Sequence, residues 1–207
     1  MTSAPVVYVI DDDASFRKAV SRLLRSAGLE VEALASAGEF LERPATDRPA
    51  CLVLDVRMPG PSGMDLQSAL EETGRDIPIV FMTGHGDVST SVRAMKKGAV
   101  DFLEKPFRAP ELLACVARGL ARSRQSRAEG AERVVVERRF ATLTSRERDV
   151  LGLVVTGMLN KQIAGELGIA EKTVKIHRGH AMQKMEAGSV AELVRMVQKL
   201  RPPETKP

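Results

Sequence analysis

Cysteine is scarce in this chain of 207 residues, which holds only Cys51, in a strand-like run, and Cys115, in a helix-like one. Both read as small core residues, so no disulfide framework is expected. No stretch approaches the ~20 consecutive apolar residues of a membrane-spanning helix. The opening residues Met1-Thr2-Ser3-Ala4-Pro5 lack the basic and apolar regions of a secretory signal. These absences predict a cytoplasmic protein with no membrane partner. A strong excess of one charge is missing too, because the formal net charge is +4. Its placement is nonetheless uneven. Residues 1–122 carry 15 Lys+Arg against 17 Asp+Glu, whereas residues 141–207 carry 11 against 7. An acidic first part and a basic last part point to different partners, but so modest a basic excess does not by itself establish nucleic acid.

What is present is a pattern of apolar runs that end in acid. Cys51-Leu52-Val53-Leu54 leads straight into Asp55, and Pro5-Val6-Val7-Tyr8-Val9-Ile10 leads into Asp11-Asp12-Asp13. A short continuous apolar run reads as a strand buried on both faces, as in a parallel sheet. Open sheets of that kind place their ligands at the carboxyl ends of the strands. Two parallel strands delivering carboxylates to one edge make a site for a hard cation such as Mg²⁺.

Strand and helix patterns alternate through residues 1–122. Strands are expected at 6–10, 30–34, 51–54, 77–82 and 100–103, each followed by residues at helical spacing. The helices are punctuated by Gly28, Gly74 and Gly98, and Pro110 stands in the first turn of the fifth. Ser36-Ala37-Gly38-Glu39 has the form of a capping box. Five such units predict a doubly wound α/β fold with a five-stranded parallel sheet. Past the strand ends come Asp11-Asp12-Asp13, Asp55, Thr83-Gly84-His85-Gly86 and Glu104-Lys105-Pro106. Carboxylates, a hydroxyl and a lysine converging on one edge suit phosphoryl transfer, with one carboxylate as nucleophile. Taken singly, each of these residues has a plainer reading: a solvated turn for the aspartates, a loop hydroxyl for Thr83, a surface charge for Lys105, a core ring for Phe102. Asp13 reads as a helix N-terminal residue, and His85 as a loop residue.

Residues 123–140 lack large apolar residues until Val134 and are expected as a linker, either a solvated continuation of the fifth helix or a mobile segment. Residues 141–207 predict an all-α unit of four helices. Thr144-Ser145-Arg146-Glu147 is a capping box. Helices follow at 160–167, closed by Gly168, and at 171–185, and Ser189-Val190-Ala191-Glu192 caps the last, with Pro202-Pro203 as its stop. Ala164, Gly168 and Val174 are spaced as in a helix-turn-helix, whose second helix lies in the DNA major groove. That helix offers Lys172, Thr173, Lys175, His177 and Arg178. A generic bundle with a solvated basic face has the same spacing.

The set Asp11-Asp12, Asp55 with Met58-Pro59 and Gly63, Thr83-Gly84 and Lys105-Pro106-Phe107 resembles the receiver domain of two-component response regulators, a flavodoxin-like fold. Leu143 to Glu147, Asn160 to Ala164 and Thr173 to His177 resemble the LuxR-type helix-turn-helix domain. In this order the chain resembles the NarL/FixJ family, on its FixJ side. The resemblance implies that Asp55 accepts phosphoryl from a sensor histidine kinase, with Thr83 and Lys105 on the phosphoryl oxygens and Phe102 as aromatic switch. It implies Mg²⁺ held by Asp11, Asp12, Asp55 and the carbonyl of Arg57, and a cis Lys105-Pro106 bond. It further implies a homodimer on phosphorylation, formed through the surface from Val88 to Leu120. That dimer reads a double-stranded promoter or operator and acts with RNA polymerase. Lys175 and Ile176 would meet base edges, and Lys161, Thr173, Arg178 and Lys184 phosphates. Two departures stand out. Ala170 occupies the recognition-helix cap, forgoing about 1 kcal/mol, and Gly179 lies inside that helix. The reading is a transcription regulator rather than an enzyme. Its rivals are a constitutive DNA binder with a silent receiver and a Mg²⁺-dependent aspartyl phosphatase.

Overall fold

Why the apolar runs are continuous is visible in the sheet. The computed structural model describes residues 4–84 and 88–200. Residues 1–3 of the N-terminal segment, His85-Gly86 of the loop reading and Pro202-Pro203 of the expected stop lie outside them. Strands β1 (Val6–Ile10), β2 (Glu30–Leu34), β3 (Ala50–Asp55), β4 (Ile79–Thr83) and β5 (Asp101–Glu104) pair in parallel in the order β2-β1-β3-β4-β5. The three central strands β1, β3 and β4 are buried at every position, so both faces demand apolar side chains. The edge strands β2 and β5 are partly open and read as mixed.

Helices α1 (Ala14–Ser26), α2 (Ala37–Leu41), α3 (Gly63–Glu72), α4 (Val88–Lys96) and α5 (Ala109–Ala141) flank the sheet. Alternate strand residues feed two cores. Val6, Tyr8, Ile10, Leu52, Leu54 and Phe81 pack with Phe40, Leu66 and Ala94 on one face. Val7, Val9, Val53, Val80 and Met82 pack with Val20, Leu112 and Val116 on the other, together with both free thiols, Cys51 and Cys115. The doubly wound fold is thus as expected from the alternation. Strand limits differ slightly: β4 begins after Pro78, whose carbonyl instead accepts the Leu52 amide at 2.9 Å.

Helix starts follow their caps. Asp13 accepts the amides of Ser15 and Phe16. Ser62 and Asp65 form a full capping box for α3, a signal present in the sequence but not expected there. Ser36 caps α2, but the Glu39 carboxylate reaches the Ala35 amide, not that of Ser36, so this box is only half made.

Residues 123–140 lie within α5, which runs unbroken through Gly130. Its middle is fixed by polar side chains. Ser123, 3% exposed, accepts the buried Ala50 amide at 3.0 Å. Arg122 donates to the Gly98 carbonyl and Arg127 to that of Thr46, while Ser126 donates to Asp76. No apolar periodicity can announce such anchors. The chain forms two compact units, Met1–Arg127 and Ala128–Pro207.

The second unit holds α6 (Ser145–Val155), α7 (Asn160–Leu167), α8 (Glu171–Met185) and α9 (Val190–Leu200) around Val136, Val150, Leu151, Ile163, Val174, Met185 and Leu193. Gly168 joins α7 to α8 at φ 65°, a left-handed conformation that costs glycine little. Glu147 is 3% exposed. Its carboxylate accepts from the Thr144 amide at 2.8 Å and from Lys184 Nζ at 2.7 Å, tying the start of α6 to the end of α8.

Two outcomes follow from this packing. A Cβ at Gly63 would lie 2.3 Å from the backbone oxygen of Asp55. Gly63→Ala is therefore expected to cost about 1–3 kcal/mol of stability in urea unfolding, the usual penalty for overpacking. The Glu147 carboxyl is held down to about 2, first by its Lys184 hydrogen bond and then by the Thr144 amide. A depressed folded pKa gives stability that is complete above the ordinary value of 4.5 and is lost as pH falls through about 2. Glu147→Gln should lower stability at pH 7 by about 1–3 kcal/mol and flatten the acid limb of the unfolding profile between those two values.

Candidate functional site

Four of the five strands end by delivering one polar residue to the same edge; β2, at the rim of the sheet, delivers none. Asp11 follows β1 and is 1% exposed; Asp55 ends β3 at 6%; Thr83 ends β4 at 3%. Lys105 follows β5, and its amide donates to the Thr83 carbonyl at 2.7 Å, which fixes it beside β4. The Lys105-Pro106 bond is cis. Lys105 Nζ then stands 2.7 Å from Asp11 Oδ2 and 2.9 Å from Asp55 Oδ1. The ammonium also lies 4.1 Å from the centroid of the Phe16 ring, which in turn meets Phe107 edge-on at 5.9 Å. Phe16 read as a core residue from its helical spacing; its place under Lys105 has no sequence signal beyond that.

The remaining carboxylate oxygens are also engaged. Asp11 Oδ1 accepts the Asp13 amide at 2.9 Å, and Asp55 Oδ2 accepts the Arg57 amide at 3.2 Å. Arg17 donates to the Asp11 carbonyl. Burial pushes the Asp55 carboxyl above the ordinary carboxylate range; Lys105 works against this and the Asp11 charge adds to it. Burial also acts to lower Lys105, but its bonds to Asp11 and Asp55 outweigh that and hold it above the ordinary lysine value. Two buried carboxylates thus share one ammonium, with exposed Asp12 alongside.

Among the described residues no group of three or more His, Cys, Asp or Glu side chains is placed to hold a metal ion by itself. The donors at this edge are nevertheless all hard oxygens, in excess of the one cation facing them. That suits Mg²⁺, which binds through one or two carboxylates and keeps several waters. Phe102 lies on β5, partly buried, with its ring 6.2 Å from that of Phe81. On α4 nearby, Val88, Val92 and Met95 are 75%, 47% and 44% exposed.

In the second unit the expected contact residues divide. Lys161 on α7 and Lys175 and Ile176 on α8 are exposed, and Thr173 is half-buried. Arg178 is engaged with Asn160 Oδ1 at 2.9 Å, and Lys184 is committed to Glu147. Lys172 is exposed as well. Val174, opposite this face, is fully buried. A helix whose apolar face is buried presents its basic face outward.

Comparison with known proteins agrees with both halves. Residues 7–117 match the response regulator receiver domain, and residues 141–197 match the bacterial regulatory proteins of the luxR family. Nodulation protein W of Bradyrhizobium diazoefficiens is 52% identical over 197 residues, covering 94% of this chain and 86% of that protein. Transcriptional regulatory protein FixJ of Azorhizobium caulinodans is 46% identical over 190 residues, 92% of this chain and 90% of that one. Among solved structures, the response regulator StyR is 49% identical with a TM-score of 0.80, covering 95% of this chain and 100% of that one. With a receiver that gathers Asp11, Asp55 and Lys105 and a helical unit that exposes the outer face of α8, this chain belongs to the transcriptional response regulators of two-component systems that carry a LuxR-type DNA-binding domain.

Proposed function

We propose that Asp55 is the phosphoacceptor and that its phosphorylation switches DNA binding. The observation that carries this reading is the shared ammonium: Lys105 Nζ bridges Asp11 and Asp55 within 2.9 Å of each. An Asp55 oxygen attacks the phosphorus of a phosphohistidine on a sensor kinase. The new P–O bond forms as the P–N bond breaks, and the imidazole leaves with the bonding pair. Asp11, Asp12, Asp55 and the Arg57 carbonyl are the groups that would hold Mg²⁺, which would withdraw charge from the phosphoryl oxygens. Lys105 follows the negative charge from the Asp55 carboxylate to the phosphoryl group. Thr83, at the adjoining strand end, contacts a second phosphoryl oxygen. Its shift lets Phe102 repack, which biases the surface from Val88 to Leu120 towards a homodimer. The exposed apolar residues of α4 support that choice of surface.

The dimer places two α8 helices on symmetric half-sites of a promoter. In this reading Lys175 and Ile176 meet base edges and Lys161 and Thr173 grip phosphates. Arg178 reaches the backbone only by releasing Asn160. Regulation of RNA polymerase in the cytoplasm completes the scheme, with no substrate turnover of its own. Among the described residues no helix is long and apolar enough to cross a membrane.

The switch is tested by sedimentation with Mg²⁺, before and after beryllofluoride. The wild type should shift from monomer to dimer and Asp55→Ala should not. Equal behaviour of the two, with operator binding retained by Asp55→Ala, would favour a constitutive regulator. The DNA face is tested by titration against specific and unrelated duplexes. Lys175→Ala and Ile176→Ala should each cost about 1–3 kcal/mol on the specific duplex only. Lys161→Ala should weaken all duplexes alike and reduce the salt slope by about one. Lys184→Ala should instead lower the stability of the helical unit, because it strips buried Glu147 of its partner.

A further inference from the structure

Gly179 sits in the middle of α8, where glycine is disfavoured relative to alanine. Three reasons commonly justify such a residue, and the protein itself supplies none of them. Its φ is not positive. A Cβ added there meets nothing within 4 Å, so no neighbouring element packs against the backbone. The helix does not end there either; it continues to Met185. The helix is not otherwise generously supported, because Ala170 provides no side-chain cap. Its position on the helix is specific. Val174, Ala181 and Met185 form the buried stripe. At 100° per residue, Lys172, Ile176 and Gly179 form the row opposite, pointing away from the core. Ile176, nearly one turn before Gly179, is a large apolar residue left 48% exposed.

We infer that Gly179 is a specificity-determining position: its missing side chain lets the backbone of α8 approach the floor of the DNA major groove, so that Lys175 and Ile176 reach base edges. Glycine is the residue that permits close approach of a backbone to a ligand. A side chain at 179 would stand between the helix and the bases and lift its second half. The inference rests on the proposed groove-facing role of α8. Gly152 of α6 provides an internal control, since it is exposed, helical and equally free of neighbours within 4 Å.

The test uses the full chain with Mg²⁺ and beryllofluoride. The probes are a duplex selected by the wild type from a randomised pool and an unselected duplex of the same length. Gly152→Ala and Gly179→Ala should both raise the unfolding temperature by about 2–5 °C, because each removes a helix-interior glycine. Gly152→Ala should bind the selected duplex as the wild type does. Gly179→Ala should bind it at least about tenfold more weakly, while its salt-dependent binding to the unselected duplex stays unchanged. If Gly179→Ala binds the selected duplex as well as the wild type while Lys175→Ala loses it, the inference fails alone. If the wild type selects no duplex, or Lys175→Ala and Ile176→Ala both bind normally, the groove-facing role of α8 fails and takes the inference with it.

Discussion

One ammonium between two buried carboxylates organises the first unit. Lys105 reaches Asp11 and Asp55 only because β5 ends beside β4 and β4 beside β3, so the four neighbouring strands β1, β3, β4 and β5 are needed to assemble the trio. Removing a single partner would strand a buried charge, which is far costlier than the pair is favourable. The arrangement is therefore stable at rest yet incompletely neutralised. In the proposed mechanism that excess negative charge attracts the cation, and the phosphoryl group formed on Asp55 then takes over the lysine.

The helical unit solves a similar problem differently. Glu147 is buried at the start of α6 and satisfied by the end of α8, so one carboxylate serves as helix cap and as interhelical tie. The same tie uses Lys184, which sequence reasoning assigned to phosphate contact. A lysine on a basic helix looks identical in sequence whether it faces solvent or a buried acid two helices away. Arg178, bonded to Asn160, illustrates the same ambiguity. Only Lys161, Lys175 and Ile176 stand out as openly exposed among the expected contacts, with Thr173 half-covered.

Much of the first unit was legible because its chemistry sits at strand ends. Apolar runs gave β1 and β3, and the polar residue after each run is one of those that Lys105 bridges. Buried strands in a parallel sheet admit few alternatives, so Asp55 and Asp11 converged in space as their positions suggested. What was not legible depended on side chains acting across long sequence gaps. The cation–aromatic contact of Lys105 with Phe16 and the bonds of Ser123 to Ala50 and of Arg127 to Thr46 leave no periodic trace. The capping box of Ser62 and Asp65, by contrast, was written in the sequence and needed only to be read.

The polar anchors along α5 set where a self-sufficient first unit can end. Ser123 is the acceptor for a fully buried amide at the start of β3, and Arg127 holds the loop before it. A fragment that stops at residue 122, or at the limit of the family match at 117, leaves the Ala50 amide buried without an acceptor and the β2–β3 connection unpinned. During synthesis the same contacts remain open until residue 127 has emerged from the ribosome. Residues 123–127, the first five past the acidic half, therefore belong, in folding terms, to the receiver sheet rather than to the segment that leads away from it.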